Sequence, residues 1–128
     1  MKNSTFIVVL VMIIGFFYIN SSPVSQTLQK SESIFTAEAK KVIDEKCYGC
    51  HSVKGTLPDA KDALMWDSLP NLQKNRLVAI LDDIIGVLKE DKMPPENVIK
   101  KYPAMKLLPQ EKKILLSWAG SKVNSLLK

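Results

Sequence analysis

The chain holds two cysteines and one histidine in 128 residues, and all three fall in one run, Cys47-Tyr48-Gly49-Cys50-His51. No other feature constrains the fold as tightly. Cysteines three apart share one face of a helix, so both thiols can add to the two vinyl groups of a single porphyrin. A histidine placed directly after the second cysteine brings its imidazole under the iron as proximal ligand. The spacing C-x-x-C-H is the attachment signature of a c-type haem. It implies one covalently attached haem c, with Cys47 and Cys50 as thioether tethers and His51 on the iron.

Other uses of these residues fit less well. A structural zinc site draws four ligands from Cys, His and carboxylates, usually as two knuckles, and the second knuckle is missing. A thioredoxin-like dithiol sits beside a βαβ pattern, yet no strand-like alternation flanks the run. A disulfide between Cys47 and Cys50 suits an oxidising compartment but leaves His51 without a task.

The front of the chain agrees with export. An apolar stretch runs from Phe6 to Ile19, and no charged side chain occurs between Lys2 and Lys30. A positive start followed by an apolar core is the pattern of an export signal, and c-type haem is attached outside the bacterial cytoplasm. Small residues occur around Ser21-Ser22-Pro23-Val24-Ser25 without a clean A-x-A cleavage pattern. A bilayer needs about 20 predominantly apolar residues, a length reached when the uncharged flanks from Thr5 to Val24 are included. Residues 1–22 are therefore expected to be a cleaved signal peptide or a retained N-terminal membrane anchor, with the anchor favoured. Residues 23–33 read as a polar tether, and residues 34–128 as the haem-binding domain. The expected location is periplasmic, at the cytoplasmic membrane or released from it.

The net charge of +5 is unevenly distributed. Residues 30–88 are nearly neutral, whereas residues 89–128 carry Lys89, Lys92, Lys100, Lys101, Lys106, Lys112, Lys113, Lys122 and Lys128 against four acids. No recognition motif accompanies these lysines, so nucleic acid is a poor partner. They read either as a solvated face or as a docking patch for an acidic redox protein, because complementary charge steers association.

Helical periodicity dominates the rest. Thr36 is a hydroxyl cap with Glu38 in the first turn behind it. Phe35, Ala39, Val42, Ile43, Cys47 and Cys50 recur at helical spacing, so an apolar stripe runs into the motif. Gly49 fits a helix C-terminus and a close backbone approach to the porphyrin. Ser52 to Pro58 reads as a loop, and Asp59 as the cap of a short helix carrying Ala63, Leu64 and Trp66. Ser68-Leu69-Pro70-Asn71 reads as a break. A longer helix is expected from Asn75 to Lys89, with Leu77, Leu81, Ile84, Ile85 and Leu88 on one face. Gly86 within it costs about 1 kcal/mol relative to alanine, for which packing on the porphyrin is a reason. The last helix opens at Pro109, a favoured first-turn residue, and Gly120 is expected to bend or end it. Trp118 reads as a core anchor, with this helix packed on the Ala39/Ile43 face.

Lys92-Met93-Pro94-Pro95 is the second informative stretch. A residue before proline is pushed out of the α region, so Met93 leaves the preceding helix and a loop can offer its thioether to the open side of the iron. Methionine is a distal ligand of cytochromes c and raises their potential. Core filling is the ordinary use of methionine, and Met65 and Met105 compete for the same role. No second histidine exists in the chain.

With Ala39, Ile43, Cys47 through His51, Met93-Pro94-Pro95, Tyr102-Pro103, and Leu107 through Glu111 to Trp118, the chain resembles class I cytochromes c over about residues 33–120. More narrowly, it is similar to the small bacterial haem-binding-domain proteins found in Bacteroidetes. It departs from them in the polar run Ser52 to Ala63, where many members are rich in aromatics. It departs again at Pro109, where they place a Ser or Thr cap. The resemblance implies an all-α fold of the small class I cytochrome c type wrapped round one covalent haem, preceded by the signal or anchor helix. It implies a single-electron carrier rather than an enzyme, His51 and Met93 holding the iron, with a redox protein as partner and no small-molecule substrate. The alternative is a haem-based sensor or gas-binding domain whose sixth position is labile or open. Arg76, Trp66 and Tyr102 are candidates for contacts to the haem propionates.

Overall fold

A computed structural model of the chain describes residues 33–128. The signal or anchor segment and nearly all of the tether lie outside the described residues. Helix α1 spans Ala37–Lys46. Thr36 caps it in extended conformation, its hydroxyl accepting the Ala39 N–H at 3.2 Å. Ala39, Val42 and Ile43 are its buried stripe, and Cys47 is its C-cap residue. The helix thus stops where the motif begins, and residues 47–50 form a turn beyond it.

Helix α2 spans Pro58–Ala63. Its cap is not Asp59 as expected: Leu57 precedes it without a side-chain bond, and Pro58 occupies the first turn. Proline suits that position because the missing N–H would have no intrahelical partner. Nor does the helix carry Leu64 and Trp66. Leu64 is extended, at φ −157° and ψ 128°, and Trp66 opens a 3₁₀ segment, Trp66–Asn71, that contains the expected break.

Helix α3 spans Lys74–Lys89 and buries Leu77, Leu81, Ile84 and Leu88, the face expected from the sequence. Its end is a Schellman motif. Lys92 N–H donates to the Val87 carbonyl at 2.9 Å, Asp91 N–H to the Leu88 carbonyl at 3.3 Å, and Asp91 itself has φ 54°.

Helix α4, Glu96–Lys101, and a 3₁₀ turn, Pro103–Met105, follow. Neither buries a side chain. Helix α5 spans Pro109–Leu127 and runs through Gly120 without a break, so it does not end there. Buried Leu115, Trp118, Ala119 and Val123 on both sides of Gly120 hold it to the core, which outweighs about 1 kcal/mol of glycine propensity.

The described residues form an all-helical fold without strands. Helix α5 packs against both α1 and α3, and α4 packs on the 3₁₀ turn after it. Phe35, Trp66 and Trp118 cluster in the core, with ring centroids 5.5 Å apart for Phe35 and Trp118 and 6.1 Å for the two indoles. The Trp118 indole N–H donates to the Ile34 carbonyl at 2.9 Å, tying the last helix to the residues before the first. Trp118 is the anchor that its sequence position suggested.

Candidate functional site

The motif is a turn fastened from three directions. Behind it, the Cys47 and Tyr48 N–H groups both donate to the Ile43 carbonyl, at 2.9 and 2.8 Å, and the Cys50 and His51 N–H groups both donate to the Cys47 carbonyl at 3.1 Å. From the 3₁₀ segment, the Trp66 N–H donates to the His51 carbonyl at 2.9 Å. Asp67 takes the Tyr48 hydroxyl on one oxygen and the Val53 N–H, at 2.8 Å, on the other. These bonds hold the Asp67 carboxyl below its ordinary value, the Tyr48 hydroxyl being the largest cause. The same hydrogen bond raises the Tyr48 hydroxyl. From inside the loop, Gly55 lies so close that a Cβ there would meet the Cys50 carbonyl oxygen at 2.3 Å.

Gly49 has no such crowding. Its φ is not positive, and a Cβ on it would meet nothing within 4 Å. Gly49 lies in the turn just past the end of α1, as its position suggested, but without a left-handed backbone: α1 ends through paired bonds to Ile43.

His51 is held by helix α2. Its Nδ1 lies 2.8 Å from the Ala60 carbonyl and 3.0 Å from the Leu64 carbonyl. Carbonyls only accept, so Nδ1 is the donor in these contacts, and Nε2 is the ring nitrogen left for a ligand. Tying one ring nitrogen to carbonyls is how proteins orient a ligating imidazole and raise its basicity.

His51, Cys47 and Cys50 line a cavity of about 310 Å³, within the range of roughly 300–1,000 Å³ usual for ligand pockets. Ile80, Ile84, Val87 and Leu88 of α3 form another wall, and Leu115 of α5 a further one. Met93, Pro94 and Pro95 line it too, as do Val98 and Met105. Met65, Arg76 and Tyr102 are not among its lining residues, whereas Trp66 is. Gly86 is not on the wall, and a Cβ there would meet nothing within 4 Å. Packing against the cavity therefore does not account for that glycine. Lys46 and Asp83 are the only acid or lysine side chains on the lining. Lys46 donates to the Ala104 carbonyl at 2.6 Å and lies 3.8 Å from the Glu111 carboxylate.

The chemistry of the sulfurs narrows the use of this cavity. Burial, reinforced by Cys50 and Glu111, pushes the Cys47 thiol up to about 12. A reactive or metal-binding cysteine needs an accessible thiolate, favoured by positive surroundings, so Cys47 is placed as a neutral sulfur. The two cysteines are not joined to each other. Among the described residues, no three His, Cys, Asp or Glu side chains are grouped to hold a metal ion. The raised Cys47 thiol and the lack of a grouped third ligand among the described residues count against zinc and against a redox dithiol. A haem fits the same residues: two unpaired cysteines, an imidazole, a thioether and an apolar wall. The Trp66 indole N–H adds to this fit. It is the one buried side-chain polar atom without a partner among the described residues, on a side chain only 4% exposed.

Asp67, Gly55 and the Ala60 and Leu64 carbonyls position the motif, and spacing alone pointed to none of them. Asp67 follows Trp66 in a stretch without periodicity, and backbone acceptors leave no mark in side-chain identity. Gly55, in a Ser-Val-Lys-Gly loop, was visible only as a turn residue. Comparison of the chain with protein-family models, with curated proteins and with solved structures finds no match.

Proposed function

We propose that the domain is a monohaem c-type cytochrome, with a small class I cytochrome c-like fold around the cofactor, carrying single electrons in the periplasm. The observation that carries this reading is the placing of His51: its Nδ1 is held by the Ala60 and Leu64 carbonyls, on a cavity wall that also holds Cys47, Cys50 and Met93. An attached haem supplies a one-electron ferric–ferrous couple. The chain's own residues do the rest. Cys47 and Cys50, both on the cavity wall, would tether the porphyrin as thioethers. His51 through Nε2 and Met93 through its thioether would be the residues that hold the iron, and a methionine ligand would favour the reduced state. The apolar α3 wall would keep water from the cofactor and reorganisation small, and the unpartnered Trp66 N–H would be available as a donor to a propionate oxygen.

The C-terminal lysines serve as a steering surface for an acidic redox protein. Four acids lie among them, and each is paired: Glu90 with Lys92, Asp91 with Lys112, Glu96 with Lys100 and Glu111 with Lys46. Lys89, Lys101, Lys106, Lys113, Lys122 and Lys128 are left in excess. The N-terminal segment provides export and, in the uncleaved form, attachment to the cytoplasmic membrane.

The test is expression of the full chain with haem-maturation machinery. One haem should stay with the polypeptide through acid–acetone extraction, and the ferric spectrum should show low-spin iron with the methionine–iron charge-transfer band. Extractable haem would sink the reading. A high-spin ferric spectrum with rapid carbon monoxide binding would replace the carrier with a gas-binding domain.

A further inference from the structure

Two thioethers, not one, line the cavity: Met93 and Met105. They sit at the two ends of one strap. Met93 precedes α4 and Met105 closes the 3₁₀ turn that follows it. The strap is lightly held. Helix α4 has no buried side chain and no side-chain cap, and it packs on the 3₁₀ turn of the same segment. Val98 is its one residue on the cavity wall. Segments with so little buried contact open at low free energy. The two methionines differ in environment. Met93 is 36% exposed, while Met105 is half-buried on a turn whose Ala104 carbonyl is gripped by Lys46, the neighbour of Cys47. The strap therefore carries a thioether at a loose end and another at an end tied to the motif.

We propose that Met105 is a second, interchangeable axial ligand, so that a small displacement of the strap lets either methionine hold the distal position. This rests on the haem reading above. Under it, removal of Met93 leaves the iron bound by a methionine, because Met105 already lines the cavity. The wall thus presents sulfur to the iron in both arrangements, and the site is protected against becoming five-coordinate.

The experiment uses the haem-loaded full chain and leucine substitutions, which conserve volume while deleting sulfur. Wild type, Met105→Leu and Met93→Leu should each keep the methionine–iron charge-transfer band and, in the ferrous protein, a strongly upfield methionine methyl resonance. Met93→Leu combined with Met65→Leu should keep both signals. Met93→Leu combined with Met105→Leu should lose both and bind carbon monoxide rapidly. Loss of both signals in Met93→Leu alone overturns the inference and leaves the His51/Met93 assignment standing. Survival of the signals in the Met93/Met105 double variant overturns it as well. A wild type without either signal overturns the distal-ligand assignment together with this inference.

Discussion

Gly55 and Gly86 are both glycines, and the structure separates them. A Cβ at Gly55 would lie 2.3 Å from the Cys50 carbonyl oxygen and 2.9 Å from its carbon, both backbone atoms of the motif. Gly55→Ala must therefore displace the motif itself, at a cost of about 1–3 kcal/mol, the usual range for overpacking. Gly86→Ala meets no neighbour within 4 Å and should stabilise α3 by about 0.5–1 kcal/mol. Denaturant unfolding of the two variants should move in opposite directions. Asp67 has a pH signature. Its carboxyl is held low in the folded state, so its contribution is present above the ordinary carboxylate range near pH 4. That contribution is lost as pH falls through the lower folded value. Tyr48 is raised, so its contribution is complete below about pH 10 and is lost as pH climbs through the folded value. Thermal unfolding of Asp67→Asn should be less pH-dependent on the acid side than wild type, and Tyr48→Phe less so on the alkaline side.

At the level of elements, termini follow local chemistry that the sequence displays only in part. Thr36 was legible as a cap because a hydroxyl before an amphipathic run accepts an early N–H, and it does. The end of α3 was not, because its left-handed residue is Asp91 rather than glycine. Asparagine and aspartate enter that region more readily than other side chains. Asp91→Ala should cost about 1 kcal/mol by the left-handed penalty, while Asp91→Gly should be at least as stable as wild type. The exposed pair with Lys112 decides little, since surface ion pairs contribute about 0–1 kcal/mol. Midpoints in urea at constant m-value would rank the three proteins. Helix α4 escaped the pattern for a plain reason. Six residues without a buried side chain leave no apolar period to read. The long α3 and α5 announced themselves through Leu77, Leu81, Ile84 and Leu88 and through Leu115, Trp118 and Ala119. What failed there was the weight given to Gly120, since burial on either side of it overrides intrinsic propensity.

For the molecule as a whole, closure depends on Trp118. Its N–H bond to the Ile34 carbonyl is buried and joins segments 84 positions apart. Trp118→Phe keeps the aromatic packing with Phe35 but leaves that carbonyl unpaired, a cost of about 1–3 kcal/mol. Trp118→Ala should cost about 3–5 kcal/mol, and calorimetry would distinguish the two. The contact of α5 with α1 could be anticipated from the apolar face of Ala39 and Ile43. The gathering of Cys47, His51 and Met93 on one cavity could be anticipated only from ligand chemistry, since nothing in local periodicity brings the loop at Met93 back over the motif. The aromatic cluster also gives the molecule an optical property. Its only two tryptophans have ring centroids 6.1 Å apart, and one of them lines the cavity. Any chromophore seated there that absorbs in the near ultraviolet and violet drains the excited state of both indoles at once. The loaded, folded protein should be dark and the unfolded chain bright. Emission alone then reports how much of a sample is assembled, without a label and at concentrations too low for absorbance.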